Sequence, residues 1–169
     1  ISAMHSIYYL LSNDRVNEII TYHFDFSDEE LLAYYISFLK TLSLKLDAST
    51  VQFFFNQSTQ QFPLYTEAVK FFNNPEAMVR VGVRTLTLAV FKVDEPSVRA
   101  FIVSGRAAPY FNNLVWFIHS RCLELESLRA KLLADSRSGP LAHKFRDCVD
   151  ELTDLLYYIQ DIYQLNIAQ

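Results

Sequence analysis

YHFDFSDEELLAYYISFLKTLSLKLDASTVQFFFNQSTQQFPLYTEAVKFF, residues Tyr22–Phe72, is the stretch on which the fold turns. Leu31, Leu32, Tyr35, Ile36, Leu39, Leu42 and Leu46 recur at spacings of three and four, which puts them on one broad face of a helix. Ser27-Asp28-Glu29-Glu30 supplies the start signal. It reads as a capping box, with a serine hydroxyl for the orphan amides, a glutamate reaching back and acidic charge on the positive end of the dipole. The helix it opens is expected to run to about Leu46. Beyond it, Ser49–Asn56 and Pro63–Phe72 read as short helices flanking a polar connector, Gln57–Gln61.

Working outward, Ser2–Leu11 and Asn13–Tyr22 read as two short helices, with Ile7, Leu10 and Leu11 and then Val16, Ile19 and Ile20 at helical spacing. Asn74-Pro75-Glu76 is a second start signal, an Asn cap with Pro at the first helical position. Its helix carries Met78, Val79, Val83, Leu86 and Val90 to about Phe91. A shift of 47 residues lays Leu31 on Met78, Leu32 on Val79, Ile36 on Val83, Leu39 on Leu86, Leu46 on Val93, and Tyr35 on Gly82. A period near that length belongs to armadillo and HEAT repeats. The other reading of the same pattern is an irregular helical bundle. Pro96–Val103 makes a further short helix that Gly105 breaks.

From about Pro109 the pattern changes. Phe111, Ile118, Leu125 and Leu132 are spaced by seven, with Leu114 and Leu128 between. After the break at Asp135–Pro140 comes a matching series, Phe145, Leu152 and Ile159, interleaved with Cys148, Leu155 and Ile162. Two heptad helices joined by a short connector read as an antiparallel helical hairpin. The expected fold is all-α, with armadillo/HEAT-like stacked helices over 1–106 and a long hairpin over 107–169 packed on the same core.

The 169 residues are 51% hydrophobic and 20% charged, a globular composition long enough to bury roughly 70% of the unfolded surface. With only 3 Gly and 5 Pro among long Leu/Phe/Tyr-rich segments, helices are favoured over a turn-rich β fold. A net charge of −4 gives no electrostatic reason to expect nucleic acid as a partner. Two cysteines, Cys122 and Cys148, do not form the dense framework of a secreted scaffold, which favours a reducing compartment. No apolar run approaches the length of a transmembrane helix and no apolar-cored leader opens the chain. Both ends fall inside apparent helices, so the chain is expected to be part of a longer protein.

Candidate chemistry is sparse. His119-x-x-Cys122 and His143-x4-Cys148 are metal-ligand types, but hairpin register would hold the two histidines on the order of 20 Å apart, too far for one zinc. Asp28, Glu29 and Glu30 suit a first helical turn, and Asp147, Asp150, Glu151 and Asp154 suit a solvated face. Neither group shows the burial or like-charge pairing that tunes a catalytic carboxylate. No glycine cluster cradles a phosphate and no serine sits in a nucleophile elbow. No catalytic residue, cofactor or metal is expected.

Binding residues are easier to nominate. Arg80, Arg84 and Thr87 fall at i, i+4 and i+7, and the 47-residue shift sets Ser37 and Lys40 beneath Arg84 and Thr87. Such a stripe either grips carboxylates or phosphates in a concave groove or is an ordinary wet face. Phe53-Phe54-Phe55 covers some 200° of a helix. All three are buried between layers, or one is left exposed as an anchor for a partner or a membrane surface.

As strings, YYLLSN at Tyr8–Asn13, FDFSDEELLAYYISFLKTLSLKL at Phe24–Leu46, FPLYTEAVKFF at Phe62–Phe72 and NNPEAMVRVGVRTLTL at Asn73–Leu88 resemble the FPL family, with PYFNNLVWFI at Pro109–Ile118 continuing the likeness. The family takes its name from the tripeptide Phe62-Pro63-Leu64. It is also called Ema, for endosomal maturation defective, and its human member carries a C-type lectin name. The resemblance weakens past Glu124, most of all around Asp135–Pro140, and the family's domain starts upstream of Ile1. It implies that 1–106 is the armadillo-like FPL region of a cytoplasmic scaffold, peripheral to endosome, Golgi and lysosome membranes, acting in endosomal maturation, autophagy and mitophagy. Implied partners are late-endosome tethering proteins, small-GTPase regulators and ubiquitin machinery. An alternative role is the docking part of a ubiquitin-ligase-associated regulator, and a third is peripheral membrane binding through the aromatic run and the basic stripe. No catalytic residues are carried over, and the lectin name finds no disulfide frame here.

Overall fold

A computed structural model describes residues 15–134 and 138–165. The expected helix Ser2–Leu11 and the first half of the Asp135–Pro140 break lie outside the described residues. Among the described residues seven α-helices follow one another: α1 Arg15–Ile20, α2 Glu29–Ser43, α3 Pro63–Val69, α4 Ala77–Phe91, α5 Pro96–Phe101, α6 Ala108–Ala134 and α7 Gly139–Gln164. Among the described residues there is no β-strand, only an isolated antiparallel bridge between Asn56 and Gln61. The fold is all-helical. It divides into two compact units, Ile1–Ile102 and Val103–Gln169.

In the first unit α2 buries Leu32, Tyr35, Ile36, Leu39 and Ser43. Its cap is not the serine expected from sequence. Asp28 takes that place, and its carboxylate accepts from the amides of Glu30 and Leu31 at 2.9 and 3.2 Å. Ser27 is occupied elsewhere, donating its hydroxyl to Asp25 at 2.7 Å. The helix stops at Ser43, leaving Leu46 outside it.

α4 packs against α2, and Gly82 sets how closely. A Cβ there would stand 2.5 Å from Ile36 Cγ2, a distance at which something must shift. Val79, Val83, Leu86 and Val90 are buried as expected, whereas Met78 is 78% exposed. The start of α4 also departs from expectation. Asn74 accepts from the Glu76 amide at 2.9 Å ahead of the helix, and Glu76 occupies the cap position without a side-chain bond.

Aromatic rings join the remaining pieces. Between α1 and α2, Tyr22, Phe24 and Phe26 chain together ring to ring. Phe24 and Phe26 both reach Tyr35, and Phe26 meets Phe71 edge-on at 5.1 Å. The Tyr35 hydroxyl donates to the Ile20 carbonyl at 2.6 Å, tying α1 to α2. Burial, with a smaller contribution from Glu67, pushes that phenol up to about 12. Phe62, fully buried, packs on Phe55, Tyr65 and Phe101.

The expected helix over Ser49–Asn56 shrinks to a 3-10 turn at Val51–Phe53. Asp47 explains the tight entry: its carboxylate accepts from the amides of Ser49 and Thr50, both at 2.8 Å. The Gln57–Gln61 connector then closes back on itself, with Gln60 at a φ of 54°. After α5 a short π-helical turn, Ile102–Arg106, carries Gly105 at a φ of 86°, where a side chain would be strained.

In the second unit α6 and α7 pack together and run in opposite senses. Tyr110 meets Tyr158 hydroxyl to hydroxyl at 2.5 Å, the Arg121 carbonyl accepts from the Cys148 thiol at 3.5 Å, and Arg121 reaches Glu151 at 3.9 Å. Leu128, Cys148 and Leu152 form a buried cluster with Ile118, Leu125, Leu141 and Phe145 against it. The buried stripe of α7 is Cys148, Leu152, Leu155 and Tyr158, so Tyr158 takes the seam place that heptad spacing gave to Ile159. Trp116 lies away from the seam and is 73% exposed.

Candidate functional site

The α2–α4 contact leaves a groove of about 190 Å³ lined by Ala33, Ile36, Ser37, Lys40, Met78, Val79 and Gly82. Its floor exists because Gly82 has no side chain to fill it. Met78 stands at the rim, and Lys40 is half-buried with its charge at the edge. An apolar floor with one exposed methionine and one ammonium group suits reversible contact with a protein segment.

The residues singled out from sequence fall into two sets. Lys40 and Ser37 do meet α4 across this groove. The arginine stripe is not a continuous wet face, because Arg84 is 8% exposed and Thr87 is fully buried. Thr87 turns its hydroxyl inward onto the carbonyls of Val83 and Arg84, each at 3.0 Å. Arg80 is half-buried, and its guanidinium donates to the carbonyls of Asn74 and Pro75 at 2.7 and 2.6 Å. It thereby holds the turn that leads into α4. Spacing alone could not show this, since the neighbours that cover Arg84 and Thr87 lie on other elements.

The three phenylalanines also divide. Phe54 and Phe55 are buried and Phe53 is half-buried. Phe53 borders a second cleft of about 280 Å³ with Asn17, Gln52, Asn56, Gln61 and Pro63, and its carbonyl accepts from Asn17 at 2.7 Å. The lining holds carboxamides and backbone and no ionisable side chain.

Elsewhere the polar groups serve local structure. Hydrogen bonds from Ser27, Ser49 and Ser97 hold the carboxyls of Asp25, Asp47 and Glu95 below the usual carboxylate range. Burial pushes the Cys148 thiol up, while Cys122 is exposed. His143 contacts Asp147 at 2.7 Å on the outside of α7. Arg121 lies 5.3 Å from the Phe117 ring and pairs with Glu124 at 2.7 Å. Sequence reading overlooked this arginine beside the seam, and also the Tyr110–Tyr158 pair. Among the described residues no three His, Cys, Asp or Glu side chains are placed to hold a metal ion. Among them, too, no helix is long and apolar enough to cross a membrane.

Comparison with known proteins identifies the chain's relatives. Residues 1–91 match the family model described as "FPL: Uncharacterised conserved protein". The chain is 53% identical to Protein CLEC16A homolog of Drosophila melanogaster over 162 residues, which is 96% of this chain and 15% of that protein. It is also 53% identical to Protein CLEC16A of Homo sapiens over 163 residues, 95% of this chain and 15% of that protein. Protein TRANSPARENT TESTA 9 of Arabidopsis thaliana is 41% identical over 165 residues, 96% of this chain and 20% of that protein. The chain thus spans about 15% of the length of the animal relatives named here. No solved structure matches.

Proposed function

The chain belongs to the FPL family, and on that premise we propose that it is a non-catalytic helical scaffold segment acting in endosomal, Golgi–lysosomal and autophagic traffic, mitophagy included. It works by binding other proteins. In this reading α2 and α4 are equivalent helices of successive armadillo-like repeats, and α6 with α7 forms a helical hairpin. The chain acts on the cytoplasmic side, peripheral to endosome, Golgi or lysosome membranes. Its partners are tethering, small-GTPase or ubiquitin-handling proteins.

The observation that carries the reading is the α2–α4 groove: a glycine-floored contact between rigid helices, with Met78 78% exposed beside Lys40. Preformed helical surfaces bind with little ordering cost. Lys40 and Ser37 form the polar margin. Arg80, Arg84 and Thr87 fall on the other side of α4 by helical spacing, and Phe53, bordering the second cleft, offers a second contact.

Capture by the immobilised chain, alongside proximity labelling of the full-length protein, tests the proposal. Recovery of tethering or GTPase-regulating proteins, lost in a Met78→Asp/Lys40→Glu variant of unchanged melting temperature, is the expected result. Ubiquitin transfer by the chain alone would overturn the non-catalytic reading. Flotation with anionic vesicles but no protein capture would replace it with a membrane-binding one.

A further inference from the structure

The α6–α7 pair presents one face that its own seam does not use. Tyr110 opposite Tyr158 and Arg121 opposite Cys148 and Glu151 fix the register, one residue rising on α6 for each falling on α7. That register sets Val115 beside Leu156 and Cys122 beside Val149 on the same side of the seam. Cys122 follows Val115 by seven, and Leu156 and Tyr163 follow Val149 by sevens, so the five make an aligned stripe across both helices. Val115 is 67%, Leu156 60% and Tyr163 82% exposed. Val115 and Leu156, exposed and in register on neighbouring helices, with Tyr163 one heptad further along α7, are a packing surface, not scattered exposed apolar residues.

We propose that this face is the interface of a homodimer, and that the second copy lies on it with the two-fold axis parallel to the helices. Charge placement selects that partner. Glu126 borders the stripe on the outer side of α6 and Arg146 borders it at the same level on the outer side of α7, both exposed. A two-fold axis along the helices sets each α6 on the partner's α7. Glu126 then meets the partner's Arg146, and the symmetry makes the pair twice. His119 meets the partner's Thr153 one layer away, and Arg129 meets the partner's Ala142, so no like charges are set directly opposite one another. An isologous surface must be self-complementary in this sense.

The face is small. From Val115 to Leu133 it is roughly 27 Å long and two helix widths of about 10 Å across, so on the order of 500 Å² per copy. Twice that is about 1,000 Å², at the low end for a specific interface and in the size class of weak, reversible pairs.

Sedimentation velocity across about 5 to 500 μM chain reads the equilibrium directly. The wild-type chain should pass from monomer to dimer within that range, and Leu156→Glu should remain monomeric with an unchanged far-UV spectrum. Glu126→Arg and Arg146→Glu should each weaken dimerisation at least tenfold, because each puts two like-charge pairs at the interface. An equimolar mixture of those two variants should recover wild-type affinity, since every charged pair is then opposite in sign. A wild-type chain monomeric at the highest concentration overturns the proposal. So does a mixture no tighter than its separate components, because dimerisation through another face gives no such rescue.

Discussion

The α2–α4 contact and the α6–α7 contact both join two long helices, but by different means. In the first, a glycine lets Ile36 come within a methyl group's reach of the opposing backbone, and aromatic rings from short segments lock the surroundings. In the second, two helices of 27 and 26 residues meet along a narrow seam. That seam carries a polar pair, Tyr110 with Tyr158, and a charged side chain, Arg121, beside its apolar residues. Short helices need neighbours to be stable, because nucleation is costly and propagation short. Long helices hold their own backbone and leave surface to spare. Close packing therefore governs one region, and surface recognition is available to the other.

Core truncation should separate them most strongly. Phe62→Ala removes a fully buried ring touching Phe55, Tyr65 and Phe101 and should cost about 3–5 kcal/mol. Leu128→Ala, in a cluster with three buried members, should cost about 2–3 kcal/mol. Urea unfolding followed by circular dichroism gives both values, and equal losses would erase the contrast.

Next in size is the glycine contact. Gly82→Val should cost about 2–3 kcal/mol through overpacking against Ile36. Leucine lacks the β-methyl that stands closest, so Ile36→Leu should recover part of the loss caused by Gly82→Ala. A double-mutant cycle with no coupling would place the strain elsewhere.

The tyrosine pair tests the second seam more gently. Tyr110→Phe or Tyr158→Phe should each cost about 1 kcal/mol by taking a buried hydroxyl's partner away. The double replacement should cost less than the two singles added. Strict additivity would mean that the hydroxyls do not depend on one another.

The smallest effects are in pH. Asp25, Asp47 and Glu95 are held below their ordinary values, so the folded first region favours their charged forms. That stability is present above an unfolded value of about 4 and declines as pH falls through the lower folded values. At the alkaline end Tyr35, held at about 12, favours its neutral form when folded. Its stability is present below the ordinary phenol value and is lost as pH rises from about 10 towards 12. Amide NMR signals of Thr50 and Val98 should report the acid step, and the 295 nm tyrosinate band the alkaline one.

Much of this difference was legible in the sequence. Helical spacing located α2, α4, α6 and α7, and it put Leu39, Val83 and Leu152 in their cores. What failed was whatever depends on a competitor or a third neighbour. Ser27 and Asp28 are both competent caps, and only the pull of Asp25 on the serine hydroxyl decides between them. Arg84 and Thr87 look solvated by chemistry yet are covered by other elements. Tyr158 displaces Ile159 at the seam because 3.6 residues per turn does not keep a strict seven-residue repeat in line. In the candidate groove, Lys40 was named from the repeat alignment. Met78 was assigned to the core, since a methionine's burial cannot be read from its position on a helix.

Trp116 is the sole tryptophan in the chain and is 73% exposed. Its indole is already bathed in water when the protein is folded. Emission should therefore be red-shifted and readily quenched by acrylamide in the native state, and should change little on denaturation. Intrinsic fluorescence is a poor gauge of folding here. It is a good gauge of contact: any molecule that covers the outer side of α6 should shift the emission to the blue against a quiet background.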